Sequence, residues 1–165
     1  MVKLRPNNQE GFTYPELIVV MGIAAMLFGF ITINFLGIQR KTSLDTTIAI
    51  LISDLKSQQT KAMVGDTGGG INPTSHGIYF ESDRYILFRG NSYSPADSGN
   101  FPISLEGNIQ ITNISSPDAV ILFSTGSGEI NNFVSGSNTI IFKNIAGSEQ
   151  KTMIINKLGV ITEVN

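Results

Sequence analysis

The chain has no cysteine among its 165 residues. That excludes a disulfide framework, a zinc knuckle, a CxxC redox pair and a thiol nucleophile. Charge is also sparse, at 15% of residues, and thirteen acids against eleven bases leave a net −2. A chain so balanced is not a basic nucleic-acid binder as a whole. Histidine occurs once, at His76. A lone histidine with no cysteine or second histidine is a poor metal site, and a place at the surface or a strand edge is expected for it. Abundant instead are glycine, at 17 residues, and apolar side chains, at 41%. The length suits one domain of ordinary size with an appendage.

The apolar excess lies mainly in one segment. No residue from Leu17 to Gln39 is charged, and Leu17 to Ile38 is interrupted only by Thr32 and Asn34. Those 22 residues as a helix would be about 33 Å long at roughly 1.5 Å per residue. That matches the roughly 30 Å hydrocarbon thickness of a bilayer. It exceeds the apolar core of a secretory signal, typically about 7–15 residues, and no small-x-small cleavage site closes it. A transmembrane helix over 17–38 is therefore expected. A fully buried core helix is the alternative, disfavoured because the remaining chain is small and polar. Lys3 and Arg5 before the segment balance Arg40 and Lys41 after it, so charge leaves the orientation undecided.

A short polar stretch, MVKLRPNNQEG, precedes the apolar run and ends in Gly11. Pro15 suits a first helical turn, where backbone N–H groups lack intrahelical partners. Tyr14 before it is biased toward extended geometry. Thr13 and Glu16 have the T-x-x-E spacing of a capping box, a purely structural use of both residues.

From Gly11 through Phe12, Thr13, Tyr14, Pro15 and Glu16 into Leu17-Ile18-Val19-Val20, the sequence resembles a type IV prepilin or type II secretion pseudopilin. Gly11, Phe12 and Glu16 fall in the family's places, while Tyr14 and Pro15 stand where aliphatic residues are commoner. The resemblance implies that a membrane-embedded aspartyl prepilin peptidase cuts after Gly11 and methylates the new amine of Phe12. It also implies that Glu16 pairs with the N-terminal amine of a neighbouring subunit during assembly. An ionisable group in an apolar setting generally has such a functional partner. Gly22, Gly29 and Gly37 recur on nearly one helical face. They allow close helix approach, or simply reflect the frequency of glycine in membrane helices. No proline kink is expected further along this helix.

The helix is expected to continue, because Leu44, Ile48, Leu51, Leu55 and Ala62 form a stripe at offsets 0, 4, 7, 11 and 18. Gly65 and the Asp-Thr-Gly-Gly-Gly after it should stop the helix. Ile52 to Met63 resembles the H-type minor pseudopilins and their pilus counterparts (GspH/FimT-like). Beyond residue 70, Gly77–Ser82 and Arg84–Arg89 read as a hairpin. Further strand-like runs over 103–114, 119–125, 138–144, 151–156 and 159–164 have the spacing of an antiparallel meander. FSTGSGEI and INKLGVITEV resemble strand-Gly-strand segments of the same group's head. The expected fold is α+β: a long N-terminal α-helix, transmembrane then amphipathic, packed on an antiparallel β-rich globular head. The expected organisation is a leader over 1–11, a helix over 12–64 (17–38 transmembrane or filament core, 39–64 amphipathic) and a head over 65–165.

No catalytic set emerges, and an enzyme is not expected. Ser53 and Lys56 have S-x-x-K spacing without the companion elements of a penicillin-binding site, and they fall on the solvated side of a helix. Gly68-Gly69-Gly70 lacks the lysine and helix of a phosphate loop. Asp66, Asp83 and Asp97 lack calcium-loop spacing. Asn113-Ile114-Ser115 is a formal glycosylation sequon of low specificity. No cofactor or metal is expected, and Lys143, Lys151 and Lys157 are too interspersed with acids for nucleic-acid capture. The resemblance implies a minor pilin or pseudopilin serving filament initiation or protein secretion. Its implied partners are the prepilin peptidase, other pilins or pseudopilins in a helical filament, an assembly platform protein and the cytoplasmic membrane. The implied place is the inner membrane, single-pass with the head outside the cytoplasm, and then a periplasmic or cell-surface filament. The competing expectation is an uncleaved, single-pass membrane-anchored β-domain that acts as a binding module.

Overall fold

The computed structural model describes Gly11 and residues 13–165, with side chains described outside 31–41. The leader residues 1–10 and Phe12 lie outside the described residues. The chain divides into two compact units, Met1–Gln39 and Arg40–Asn165. Helical backbone, α1, is assigned over Tyr14–Val64. Its described parts are two helices of 17 and 23 residues, 14–30 in the first unit and 42–64 in the second.

The expected α+β arrangement, with one long helix that is transmembrane and then amphipathic, is corrected on this point. Among the described residues no helix is long and apolar enough to cross a membrane. The helix of 23 residues carries Asp45, Asp54, Lys56 and Lys61 and belongs to the second unit.

In that second unit the apolar stripe organises the packing. Leu44, Ile48, Leu51, Leu55 and Ala62 are all buried, as residues on one face of a helix can be. The helix ends in a Schellman arrangement. Gly65 takes φ +68°, its N–H donates to the Ala62 carbonyl at 3.2 Å, and the Asp66 N–H donates to Lys61 at 2.9 Å. Glycine fits there because a Cβ is strained at positive φ.

Eight strands follow: β1 (His76–Phe80), β2 (Arg84–Arg89), β3 (Phe101–Ser104), β4 (Ile109–Ile114), β5 (Val120–Phe123), β6 (Thr139–Asn144), β7 (Gln150–Ile155) and β8 (Ile161–Val164). The expected meander is also corrected, because the strands form two four-stranded antiparallel sheets, β3-β2-β1-β5 and β4-β6-β7-β8. β5 returns to pair with β1, placing His76 opposite Phe123 and Ile78 opposite Ile121. β4 instead pairs with β6 in the second sheet. Alternation then points Ile78, Phe80, Ile121 and Phe123 of the first sheet into the same core as Ile109, Phe142, Met153 and Ile155 of the second. The buried helical stripe belongs to this core too.

Polar contacts fix the helix on the sheets. Gln59 Nε2 donates to the Gly128 carbonyl at 2.9 Å and the Leu158 carbonyl at 2.7 Å. Gly159 (φ +74°) permits this latch, since a Cβ there would lie 2.6 Å from Gln59 Nε2. Tyr85, 1% exposed, donates its hydroxyl to Asp54 Oδ2 at 2.6 Å. Burial first, and then the Asp54 hydrogen bond and charge, push the Tyr85 phenol well above its ordinary value.

The neutral phenol is thus favoured in the folded state. Its contribution is complete below the unfolded phenol value of about 10 and is lost as pH rises beyond it. Denaturant titrations at stepped alkaline pH should therefore show stability falling above about pH 10. Tyr85→Phe should flatten that fall and weaken the fold by about 1–2 kcal/mol near neutrality.

Candidate functional site

The residues that carry the pilin resemblance sit at the start of the first unit. Gly11 is exposed, and a Cβ there would meet nothing within 4 Å. Packing among the described residues therefore places no demand for glycine at this position. Phe12, the other half of the expected cleavage site, lies outside the described residues.

Helix 14–30 begins where the sequence signals placed it. The Thr13 carbonyl accepts the Leu17 N–H at 3.1 Å, which makes Thr13 the residue that caps the first turn. Glu16 Oε2 accepts from both the Thr13 N–H and the Thr13 hydroxyl, each at 3.4 Å. Those distances are long, so the capping contact is weak. Pro15 occupies a first-turn position where its missing N–H removes no helical bond.

After Glu16 this helix presents apolar side chains around its whole circumference. Leu17, Ile18, Val19 and Val20 are 49–60% exposed, and Met21, Met26, Phe28 and Phe30 are 67–72% exposed. Consecutive residues on a helix point about 100° apart, so such a run leaves no polar face. Gly22 and Gly29 likewise have open space where a Cβ would stand. The side chains beyond residue 30, including the place of Gly37, are outside those described.

The second unit brings together residues that sequence reasoning treated separately. His76 and Arg89 are cross-strand partners on β1 and β2. His76 opens β1 at the expected strand start, but it is buried at 5% exposure rather than at the surface, with Nε2 3.1 Å from the Asp66 carbonyl. Arg89 Nη1 donates to the carbonyls of Thr67, at 3.3 Å, and Gly68. The glycine-rich turn after the helix is thereby held over the end of the sheet. A cavity of about 410 Å³ opens there, lined by His76 and Arg89 and by Gln58, Lys61, Leu87 and Phe101.

Gln58 is the residue the sequence reading passed over. It occupies offset 14 from Leu44, the one missing step in the apolar stripe, and it is 3% exposed. Its Oε1 has no hydrogen-bond partner among the described residues. An amide left so in a protein interior costs about 1–3 kcal/mol. The available signal was a polar residue at an otherwise apolar helical position.

The other chemical candidates remain apart. Ser53 and Lys56 lie exposed on the helix. Among the described residues, no group of three or more His, Asp or Glu side chains could hold a metal ion. No known family model, curated protein or solved structure matches the chain.

Thr13→Ala should remove the hydroxyl half of the Thr13–Glu16 contact, keep the backbone N–H half, and destabilise the first turn by about 0.5 kcal/mol. Amide hydrogen exchange should then speed up at residues 14–18 and stay unchanged in β1 and β6.

Proposed function

We propose that the chain is a minor pilin or pseudopilin. It is a structural subunit cut after Gly11, methylated on Phe12 and assembled into a type IV pilus or type II secretion pseudopilus. One observation carries this reading: a single carboxylate, Glu16, heads a helix that exposes apolar side chains on every side. A surface of that kind needs an apolar environment, and neighbouring copies of the same helix supply one in a filament core. Gly22 and Gly29, with open space around them, suit close approach by those neighbours.

Glu16 has a matching role. Cleavage after Gly11 creates an amine on Phe12, four residues or about one helical turn before the carboxylate. In an apolar filament core neither charge is tolerated alone, so the Glu16 carboxylate of one subunit pairs with the Phe12 amine of the next. The weak capping contact to Thr13 leaves the Glu16 side chain available to that partner. Before assembly the subunit resides at the cytoplasmic membrane with its head outside the cytoplasm. Prepilin peptidase and an assembly platform protein are its processing and export partners, and the filament serves initiation or protein secretion.

Intact-mass and N-terminal peptide analysis tests the processing step, using protein from membranes of a host with a prepilin peptidase. A chain beginning at methylated Phe12, lost on substitution of Gly11, is expected. A chain retaining residues 1–11 would instead identify an uncleaved anchored binding module. Glu16→Gln separates capping from pairing, because glutamine preserves the capping box but carries no charge. Its processing should match wild type while its recovery in filaments falls about tenfold or more, as for loss of one buried charge pair. Equal recovery of Glu16→Gln and Glu16→Leu with wild type would show that the charge has no assembly role.

A further inference from the structure

The first sheet has a second face, turned away from the core it shares with helix 42–64. Along β1 and β5 the side chains of Ile78, Phe80, Ile121 and Phe123 enter that core, so Tyr79, Val120 and Leu122 alternate to the other side. Tyr79 and Val120 are direct cross-strand partners, as are Gly77 and Leu122. Gly77 leaves room for an aromatic wall on this face, since a Cβ there would lie 2.6 Å from the Phe88 ring. Phe88 meets Tyr93, from the loop after β2, edge-on with centroids 5.6 Å apart. Tyr93 in turn stacks on Tyr79 at 4.1 Å, the two rings inclined by 8°. A cavity of about 320 Å³ opens beside this wall, lined also by Val120, Leu122, Asn132 and Asp118.

Asp118 is the one charged residue in that lining. It is exposed, and among the described residues its carboxylate makes no hydrogen bond or ion pair. Arg84, the base whose field reaches Tyr93, is held by Glu81 at 2.6 Å and Asp83 at 3.5 Å, so its charge is already balanced locally. The turn that carries the carboxylate is closed by the Ala119 N–H, which donates to the Ser116 carbonyl at 3.1 Å. Asp118 and Ala119 both take φ +54° there, a conformation that aspartate tolerates and alanine adopts only under strain.

Charge and polarity together select an occupant. A lone accessible carboxylate attracts a cation. Tyrosine rings favour the same charge over their faces, while Val120 and Leu122 favour an apolar stem. A bare metal ion is poorly served, because among the described residues no group of three or more His, Asp or Glu could hold one. The volume falls in the usual range for small-molecule sites, roughly 300–1,000 Å³. We infer that this cavity binds an organic cation, an ammonium group on an apolar stem. Its charge lies toward Asp118 and its stem against Tyr93, Val120 and Leu122. A free amine and the lysine side chain of a peptide share this chemistry. The site is built wholly from the second unit, so it does not depend on cleavage at Gly11 or on the role of Glu16.

The direct experiment is ligand-detected NMR on the full chain in detergent micelles, with protein-free micelles as the reference for partitioning. The probes are cyclohexylmethylamine, cyclohexylmethanol and cyclohexanecarboxylate, which share a ring and differ in charge. The amine should bind about fivefold or more tightly than the alcohol, the scale of one exposed ion pair with a cation–π contact. The carboxylate should bind weakest. Asp118→Asn should abolish the preference for the amine without moving the melting temperature, because asparagine tolerates the same backbone and the carboxylate has no partner to lose. Tyr93→Ala should weaken all three probes. Capped glycyl-lysyl-glycine binding more tightly than the amine marks a peptide as the source, and equal or weaker binding marks a free amine. Alcohol binding as well as the amine, no binding of the amine, or either variant behaving as wild type would each overturn the assignment.

Discussion

Covering one face of helix 42–64 is the constraint on which the rest of the head depends. Its five apolar stripe residues are almost wholly withdrawn from water, and burial of each leucine or isoleucine among them contributes about 1.5–3 kcal/mol. No single four-stranded sheet of this chain supplies all the facing side chains. Ile78, Ile121 and Phe123 come from one sheet and Ile109, Phe142 and Met153 from the other. The strand order follows from that need. β5 closes the first sheet against β1, and β4 departs to open the second. Gln59 then ties the helix to the Gly128 and Leu158 turns, from which the chain enters or leaves β-structure.

Polar groups within this apolar arrangement divide by whether they are satisfied. Tyr85 and Asp54 complete one another across the helix–sheet boundary. Asn132 plays a similar part beside β5, donating to the Val120 carbonyl and accepting from the Leu122 N–H. These pairs stabilise because no buried donor or acceptor is left over. Gln58 departs from the pattern, with its Oε1 buried and without a partner among the described residues, beside a cavity lined by Lys61, Asp66, Arg89 and Phe101. Local inconsistency of that sort is the usual mark of a site shaped for something other than stability.

The first unit raises the opposite problem. Its helix starts through Thr13 and Glu16, and most of its apolar side chains are half or more exposed. Local hydrogen bonds can form a helix, but they give such a surface no reason to remain in water. The proposed filament answers this with copies of the same helix, and the charge that caps the first turn becomes the charge that pairs between subunits.

Features that depend on a few neighbouring residues were legible in the sequence. The T-x-x-E start of the helix, the Gly65 stop and the β1–β2 hairpin arise from contacts within a turn or two of chain, and the apolar stripe is marked by its helical spacing. The Gly11, Phe12 and Glu16 constellation could likewise be read only there, since Phe12 lies outside the described residues. The transmembrane helix expected over 17–38 from hydropathy is not met: among the described residues no helix is long and apolar enough to cross a membrane. Tertiary structure alone decided the two-sheet topology, since β5 meets β1 across a long connection and no local pattern names that partner. It also decided the cavity. Gln58, Arg89 and Phe101 belong to three elements, and only the folded chain brings them around one space.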